Sequence, residues 1–192
     1  MLKLALLAAA LAAPSIDAPA PGFSGLASNG ATISLDQFKG ETVVLEWTND
    51  GCPFVQKHYE TRNMQQTQET ANAAGVVWIT VISSAPGKQG HADATRANIL
   101  TEERGAQPDY VLLDADGVVG KAYGAKTTPQ MALIDREGVL RYAGAIDDKP
   151  SANHATVNGA TNYLLAALTS VSEGRPVAIK ETQPYGCSIK YK

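Results

Sequence analysis

Cys52 lies in the stretch EWTNDGCPFVQKHY, residues 46–59, and is the first of only two cysteines in 192 residues. Pro53 follows it, and proline suits the first turn of a helix, where its missing N–H would have no partner. A thiol attacks as the thiolate, and the N–H groups at a helix N-terminus stabilise that anion. The stretch therefore predicts a nucleophilic Cys52. The alternative is a cysteine that only packs, since free cysteines are often buried.

The second cysteine, Cys187, lies in QPYGCSIKY, within a C-terminal tail of residues 174–192 that has little helical or strand pattern. If the tail folds back, Cys187 can resolve an oxidised Cys52 by forming a disulfide with it. Two alternatives stay open. The pair could form a permanent structural disulfide, worth about 5 kcal/mol by loop entropy, or Cys187 could stay free or pair with another protein.

A strand and a helix must position Cys52. The run TVVLEW, residues 42–47, is β-branched and continuous rather than alternating, which is typical of a central strand covered on both faces. The chain then has no helix breaker from Pro53 to about Asn72, which predicts one helix there. Cys52 is thus expected at the C-terminal edge of the sheet, where open α/β folds place their sites.

The remaining elements alternate between strands and helices, which predicts a mixed sheet between helical layers. They are a hairpin at Asn29-Gly30, strands at 75–82 and 110–114, helices at 91–103 and 157–171, a brief helix ending at Tyr123, and a terminal hairpin turning at 136–138.

The N-terminus reads as an export signal. Residues 1–12, MLKLALLAAALA, join Lys3 to a short apolar run with a small-x-small end, which is typical of a signal peptide and too short to span a bilayer. Proline-rich residues 13–22 predict a linker, and residues 23–173 a single domain. The mature protein is expected to be secreted or periplasmic, with no membrane segment. A net charge of -3 offers no basic face for nucleic acid.

The motif W-x(4)-C-P-F-V-x-x-H, with Thr128-Pro129 leading into QMALID, resembles the thioredoxin-like redoxin superfamily. It is most similar to the alkyl-hydroperoxide-reductase and thiol-specific-antioxidant subgroup with N-x-x-C-P-[FY]-V. The resemblance implies an α/β thioredoxin-like fold: a mixed central sheet with helices on both faces, here with an N-terminal β-hairpin extension and a C-terminal tail. It also implies a cis Pro129 beside the nucleophile, with Thr128 offering backbone hydrogen bonds to substrate.

The sequence departs from the relatives at two points. Thioredoxins carry a second cysteine where this chain has Val55, so Cys52 lacks a partner one helical turn on. Peroxiredoxins carry a proline and a threonine where this chain has Leu45 and Asn49, although the Asn49 amide could donate a hydrogen bond to an oxygen. His58 lies too far round the helix to pair readily with the sulfur.

These residues predict an exported, redoxin-type thiol oxidoreductase that catalyses thiol–disulfide exchange or antioxidant peroxide reduction. Cys52 is the nucleophile, Cys187 resolves, and Asn49, Trp47, Pro53, Thr128 and Pro129 bind substrate, with core packing the alternative for Trp47. The expected partners are a disulfide-bearing protein or a hydroperoxide as substrate, and an external thiol reductant. No metal or cofactor is expected, since three scattered histidines give weak support for a metal site. The alternative is a non-catalytic binding or structural domain with a Cys52–Cys187 structural disulfide.

Overall fold

A computed structural model describes residues 14–192, so the expected signal peptide lies outside the described residues. Within this range the strands are β1 (Ser24–Leu26), β2 (Thr32–Ser34), β3 (Val43–Trp47), β4 (Val77–Ile82), β5 (Tyr110–Leu113), β6 (Thr127–Thr128), β7 (Gln130–Ile134), β8 (Leu140–Gly144) and β9 (Cys187–Ser188). The α-helices are α1 (Pro53–Glu60), α2 (Asn63–Ala73), α3 (Ala94–Arg104), α4 (Val118–Ala122) and α5 (Tyr163–Ser172). No helix of this part of the chain is long and apolar enough to cross a membrane.

The central sheet has five strands in the order β5-β4-β3-β7-β8. β3 pairs in parallel with β4, which pairs in parallel with β5, while β7 runs antiparallel to both β3 and β8. Every residue of β3, β4 and β7 is buried, as expected for strands covered on both faces. The mixed sheet predicted from the sequence is confirmed.

Apolar clusters cover both faces of this sheet. On one face, Val44 and Trp78 pack with Val55 of α1, Met64 of α2 and Leu164 of α5. On the other face, alternate strand residues pack with the β1–β2 hairpin and with residues of α4 and the chain end. Alternation along each strand assigns neighbouring side chains to opposite clusters, so β3 is held from both sides up to the turn that carries Cys52.

The predicted helix from Pro53 to Asn72 is wrong as a single element. It is divided into α1 and α2 at Arg62, whose φ of 62° lies in the left-handed region. No glycine or proline marks this break, so the sequence gives no local signal for it. The division turns the chain so that Val55 and Met64 both reach the same apolar cluster.

The last helix starts later than predicted. Residues His154–Val157 form a short 3-10 helix, and α5 begins at Tyr163 after Asn162, whose side chain accepts a hydrogen bond from the Leu165 N–H at 2.9 Å. An asparagine N-cap satisfies one of the free N–H groups of the first turn. Leu164, Ala167 and Leu168 are buried as the apolar spacing predicts.

Ordered structure begins before Phe23. The segment predicted to be a linker lies along the start of β8: the Asp17 N–H donates to the Leu140 carbonyl at 2.9 Å, and the Leu140 N–H donates to the Ala18 carbonyl at 3.0 Å. Prolines are compatible with extended, edge-pairing backbone, so composition alone did not distinguish a free linker from a docked strand-like segment.

The C-terminal tail is structured, in contrast to the weak pattern in its sequence. Cys187 and Ser188 form β9, which pairs antiparallel with β6, so that Cys187 lies opposite Thr128 and Ser188 opposite Thr127. Glu181 also bridges Ala143 at the edge of the central sheet. The tail therefore runs back across the molecule to the residues that precede Pro129.

Candidate active site

Cys52 is the N-cap residue of α1 and has an extended backbone, with φ of -92° and ψ of 117°. Its carbonyl accepts hydrogen bonds from the Val55 and Gln56 N–H groups, each at 2.9 Å, and Pro53 occupies the first helical position. The sequence prediction that Cys52 lies between the end of β3 and the start of a helix is therefore confirmed. Its side chain is fully buried.

The Cys52 thiol lies beside Thr128. Its Sγ donates to the Thr128 carbonyl oxygen at 3.2 Å, across a sequence separation of 76 residues. The Thr128–Pro129 peptide bond is cis, in agreement with the geometry that the family resemblance implies. Thr128 is also buried, so in this conformation its backbone faces Cys52 and the tail.

Cys187 occupies the place next to Thr128 on the tail side. Besides the strand register, the Thr128 hydroxyl donates to the Cys187 carbonyl at 3.4 Å. Both cysteines are free thiols, and Cys187 is partly exposed. Burial, together with a hydrogen bond and the charge of Cys52, raises the pKa of the Cys187 thiol to about 11. Both cysteines therefore lie next to Thr128, Cys52 through its thiol and Cys187 through its backbone.

Gly186 allows the tail to approach this closely. Its φ is 119°, and a Cβ atom built there would lie 1.9 Å from the Thr128 carbonyl oxygen. No side chain fits that space, and a non-glycine residue disfavours that φ. The glycine therefore permits Cys187 to reach Thr128.

Two tyrosines anchor the tail on either side of Cys187. The Tyr185 hydroxyl donates to Asp147 and lies 3.1 Å from the His58 Nε2, while its ring contacts the Phe54 ring with centroids 5.9 Å apart. The Tyr191 hydroxyl donates to the Ala125 carbonyl at 2.8 Å. Tertiary contacts of these side chains, rather than long strand pairing, hold β9 in place.

Tyr185 closes over a buried polar cluster, which we call the anchor cluster: Lys57, His58 and Asp147. The Lys57 Nζ donates to the Lys149 carbonyl at 3.0 Å and lies 3.8 Å from the Asp147 Oδ2. All three cluster side chains are at most 2% exposed.

The two basic members of the anchor cluster have lowered pKa values. Burial lowers the pKa of Lys57, with the Asp147 charge opposing it. Burial and the Lys57 charge lower the pKa of His58 to about 3, so His58 is neutral at neutral pH. Its Nδ1 lies 2.7 Å from the Asn63 amide nitrogen, which can donate to a neutral ring.

The remaining residues predicted to bind substrate take different positions. Trp47 is 1% exposed, and its Nε1 donates to the Ser83 hydroxyl at 3.2 Å, so it packs in the core and lines no open groove. Asn49 is buried beside the turn, where its Oδ1 accepts from the Gly51 N–H at 3.0 Å. Its Nδ2 has no hydrogen-bond partner within residues 14–192. Pro53 is exposed next to Cys52.

Sequence reasoning missed Tyr185, Asp147 and Glu46. Glu46 is fully buried in β3, where it accepts hydrogen bonds from the Tyr59 hydroxyl at 2.7 Å and the Trp78 Nε1 at 2.9 Å. Burial raises the pKa of this carboxyl above its ordinary value. Glu46 is the one charged residue in a strand of otherwise apolar residues, and this could be seen in the sequence. Because burying a charge costs free energy unless it has hydrogen-bond partners, such a residue indicates a buried polar network. Nothing local marked Tyr185 or Asp147.

This arrangement can make and break one disulfide. Cys52 and Cys187, from distant parts of the chain, both lie next to Thr128, and Cys52 lies at a helix N-terminus, where an anion is stabilised. Among the described residues, no group of three or more histidine, cysteine, aspartate or glutamate side chains could hold a metal ion.

Several solved structures are similar to this chain over most of its length. An uncharacterised conserved protein from Geobacillus kaustophilus is 27% identical, with a TM-score of 0.80 over 93% of each chain. A hypothetical protein from Sinorhizobium meliloti is 24% identical, with a TM-score of 0.78 over 94% of this chain and 97% of the other. The thioredoxin domain of a thiol-disulfide oxidoreductase from Bacteroides vulgatus is 22% identical, with a TM-score of 0.54 over 76% and 97%.

The fold is therefore thioredoxin-like, as the motif resemblance implied. A search of curated proteins finds no match. The Redoxin family model matches residues 15–164, which include Cys52, Thr128 and Pro129. The chain belongs to the Redoxin family.

Proposed function

We propose that this protein is a thiol oxidoreductase that works by thiol–disulfide exchange through Cys52 and Cys187. The observation that carries the proposal is the pairing of Cys187 with Thr128, the residue whose carbonyl accepts the Cys52 thiol. Membership of the Redoxin family supports a redox role for Cys52. The tail supplies the second thiol that Val55 cannot.

The proposed reaction oxidises the protein and reduces its substrate. The Cys52 thiolate attacks one sulfur of a substrate disulfide, and the other substrate sulfur leaves as a thiolate. The Cys187 thiolate then attacks the Cys52 sulfur, which releases the second substrate thiolate and forms the Cys52–Cys187 disulfide. An external thiol reductant returns the pair to two thiols.

A hydroperoxide is the second candidate oxidant. The Cys52 thiolate would attack the distal oxygen, an alcohol or water would leave, and Cys187 would convert the sulfenic acid to the disulfide with loss of water. The Asn49 Nδ2, buried and without a partner among the described residues, favours this branch because it can donate to an oxygen. The absence of the peroxiredoxin proline and threonine favours disulfide exchange.

The buried position of Cys52 has a consequence for substrate entry. Its side chain is 0% exposed beneath the tail, so a protein disulfide reaches it only after β9 leaves Thr128. Two paired residues form β9, and loss of such short pairing is a small opening compared with global unfolding. We therefore include tail release as the first step of substrate oxidation.

The proposed location is outside the cytoplasm. The apolar run of residues 1–12 supports export with removal of the signal, and a disulfide persists in an oxidising compartment. A fusion of residues 1–22 to a reporter that is active only after export tests this part independently of the redox chemistry.

Intact mass tests the reaction. The reduced wild type, Cys52→Ser and Cys187→Ser are each treated with one equivalent of hydrogen peroxide or of an oxidised protein substrate. The wild type should lose two hydrogens, and Cys187→Ser should accumulate a sulfenic acid or a mixed disulfide on Cys52. If the wild type forms no internal disulfide with either oxidant, the proposal is wrong.

Complete burial of Cys52 also supports the alternative, a non-catalytic domain with a structural Cys52–Cys187 disulfide. The two functions differ in how the disulfide responds to reductant. A redox pair opens in millimolar glutathione while the protein stays folded, whereas a structural disulfide resists such mild reduction. Thiol titration of the oxidised protein in a glutathione series separates them.

A further inference from the structure

We infer that the external thiol reductant opens the oxidised protein by attacking the sulfur of Cys187, with Cys52 as the leaving group. This inference rests on the proposed function, because it requires the Cys52–Cys187 disulfide. It gives the two cysteines opposite partners: the oxidised substrate reacts at Cys52 after the tail is released, and the reductant reacts at Cys187 while the tail is docked.

Accessibility is the first argument. Thiol–disulfide exchange needs an approach to one of the two sulfurs, and access helps to decide which one reacts. Cys52 is 0% exposed, whereas Cys187 is partly exposed and is followed by the exposed Ser188. The disulfide itself would tie β9 to α1, so the tail could not leave to uncover Cys52. Of the two cysteines, only Cys187 is then partly exposed to solvent.

The leaving group is the second argument. A thiol with a lower pKa leaves faster in disulfide exchange. Burial is the first cause that raises the pKa of the Cys187 thiol, which makes Cys187 a poor leaving thiolate. The Cys52 sulfur would leave at the N-terminus of α1, where the helix dipole stabilises an anion.

Local charge is the third argument. The Lys190 ammonium acts on the Cys187 thiol electrostatically, in the direction that favours an anion there. Its Nζ donates at 2.6 Å to the hydroxyl of Ser188, the residue that follows Cys187. An incoming thiolate is therefore attracted to this side of the disulfide.

The reductant thiolate RS⁻ attacks the Cys187 sulfur, the Cys187–Cys52 bond breaks, and Cys52 takes the electron pair as a thiolate. The product is a mixed disulfide between R and Cys187. A second reductant thiolate attacks the R sulfur and releases Cys187, so that two reductant thiols become one disulfide and the protein gains two electrons and two protons.

Glutathione is the probe for the test. The wild type is oxidised, its internal disulfide is verified by intact mass, and it is mixed with excess reduced glutathione. Samples are quenched in acid at successive short times, free thiols are blocked with N-ethylmaleimide, and peptides are mapped. Extrapolated to zero time, glutathione should be on Cys187 about tenfold more often than on Cys52. The same disulfide opened in guanidinium should give a ratio near one, because unfolding removes the burial.

The outcomes separate this inference from the proposed function. If oxidation yields no internal disulfide, the proposed function itself fails before glutathione is added. If the disulfide forms but glutathione appears first on Cys52, or on both cysteines equally, the redox pair stands and the assignment of Cys187 is wrong.

Discussion

Tyr185→Phe should make Cys52 accessible without changing its surroundings. The substitution removes only the hydroxyl, which donates to Asp147 and lies 3.1 Å from the His58 Nε2. The ring that packs on Phe54 and lies 5.3 Å from the Lys57 Nζ is kept. The tail therefore loses one of its two tyrosine hydroxyl anchors and keeps its apolar contact.

The expected increase in the labelling rate of Cys52 follows from the charge of Asp147, which accepts the Tyr185 hydrogen bond. A hydrogen bond to a charged group contributes about 1.5–3 kcal/mol, and after its loss the Asp147 Oδ1 keeps the Lys149 N–H as a donor at 3.0 Å. The population with an undocked tail should rise by about 10- to 100-fold, since each 1.4 kcal/mol is about a factor of ten. If the tail recloses faster than the thiol reacts, alkylation of Cys52 accelerates by the same factor.

The assay measures iodoacetamide labelling of Cys52 in a Cys187→Ser background, so that Cys52 is the only thiol. Tyr123→Phe is the matched control, because the Tyr123 hydroxyl donates one hydrogen bond to the N-terminal segment, to the Pro21 carbonyl at 2.7 Å, and none to the tail. Urea unfolding of both variants measures global stability. Equal labelling rates in the two variants at equal global stability would refute the role of Tyr185 as the anchor that covers Cys52.

Three further predictions follow from single sites. Gly186→Ala should block docking of β9 and slow formation of the internal disulfide, because its Cβ would meet the Thr128 carbonyl oxygen. The control is Gly159→Ala, at a φ of 75° with open space around it. Equal rates of disulfide formation in the two variants would contradict the clash. His58 has a folded-state pKa of about 3, below its unfolded value near 6.5, so its contribution to stability is present above pH 6.5 and is lost as the pH falls. Urea unfolding should show the wild type losing about 2 kcal/mol more than His58→Gln between pH 8 and pH 5, and parallel pH profiles would rule this out. Arg62→Gly should raise the free energy of unfolding by about 0.5–1 kcal/mol, because glycine adopts the left-handed φ of 62° without strain; a lower melting temperature would show that the Arg62 side chain matters more than its backbone.

The elements around Cys52 could be predicted because their signals are local. β3 lies in a β-branched run that does not alternate, Pro53 marks a helix start, and the Asn29-Gly30 turn lies between β1 and β2. Those signals come from backbone preferences and burial within a few residues. They place Cys52 correctly at the end of β3, but they carry no information about which distant segment packs over it.

The tail and the anchor cluster could not be predicted for the opposite reason. β9 has two residues, too few to show alternation, and it is held by the hydroxyls of Tyr185 and Tyr191. Charged residues are seldom fully buried unless they are paired, so nothing in the sequence marks Lys57 and Asp147 as buried. Their burial depends on a contact that spans 90 residues.

In the proposed reaction, the second cysteine lies on the tail rather than one turn along α1. The redox state of the cysteine pair therefore determines whether a substrate can reach Cys52. Val55, which is 0% exposed, occupies the position where a C-x-x-C motif would have its second cysteine. The second cysteine of this chain, Cys187, instead lies on the tail that covers Cys52. In the dithiol form, side-chain contacts such as those of Tyr185 hold this segment, and they can open. In the disulfide form, a covalent bond adds to those contacts, and the tail stays docked. The oxidised protein would therefore not bind a second oxidised substrate at Cys52 until a reductant reaches Cys187. In a C-x-x-C pair on one helix, by contrast, no tail covers the cysteines, and the substrate face is open in both redox states.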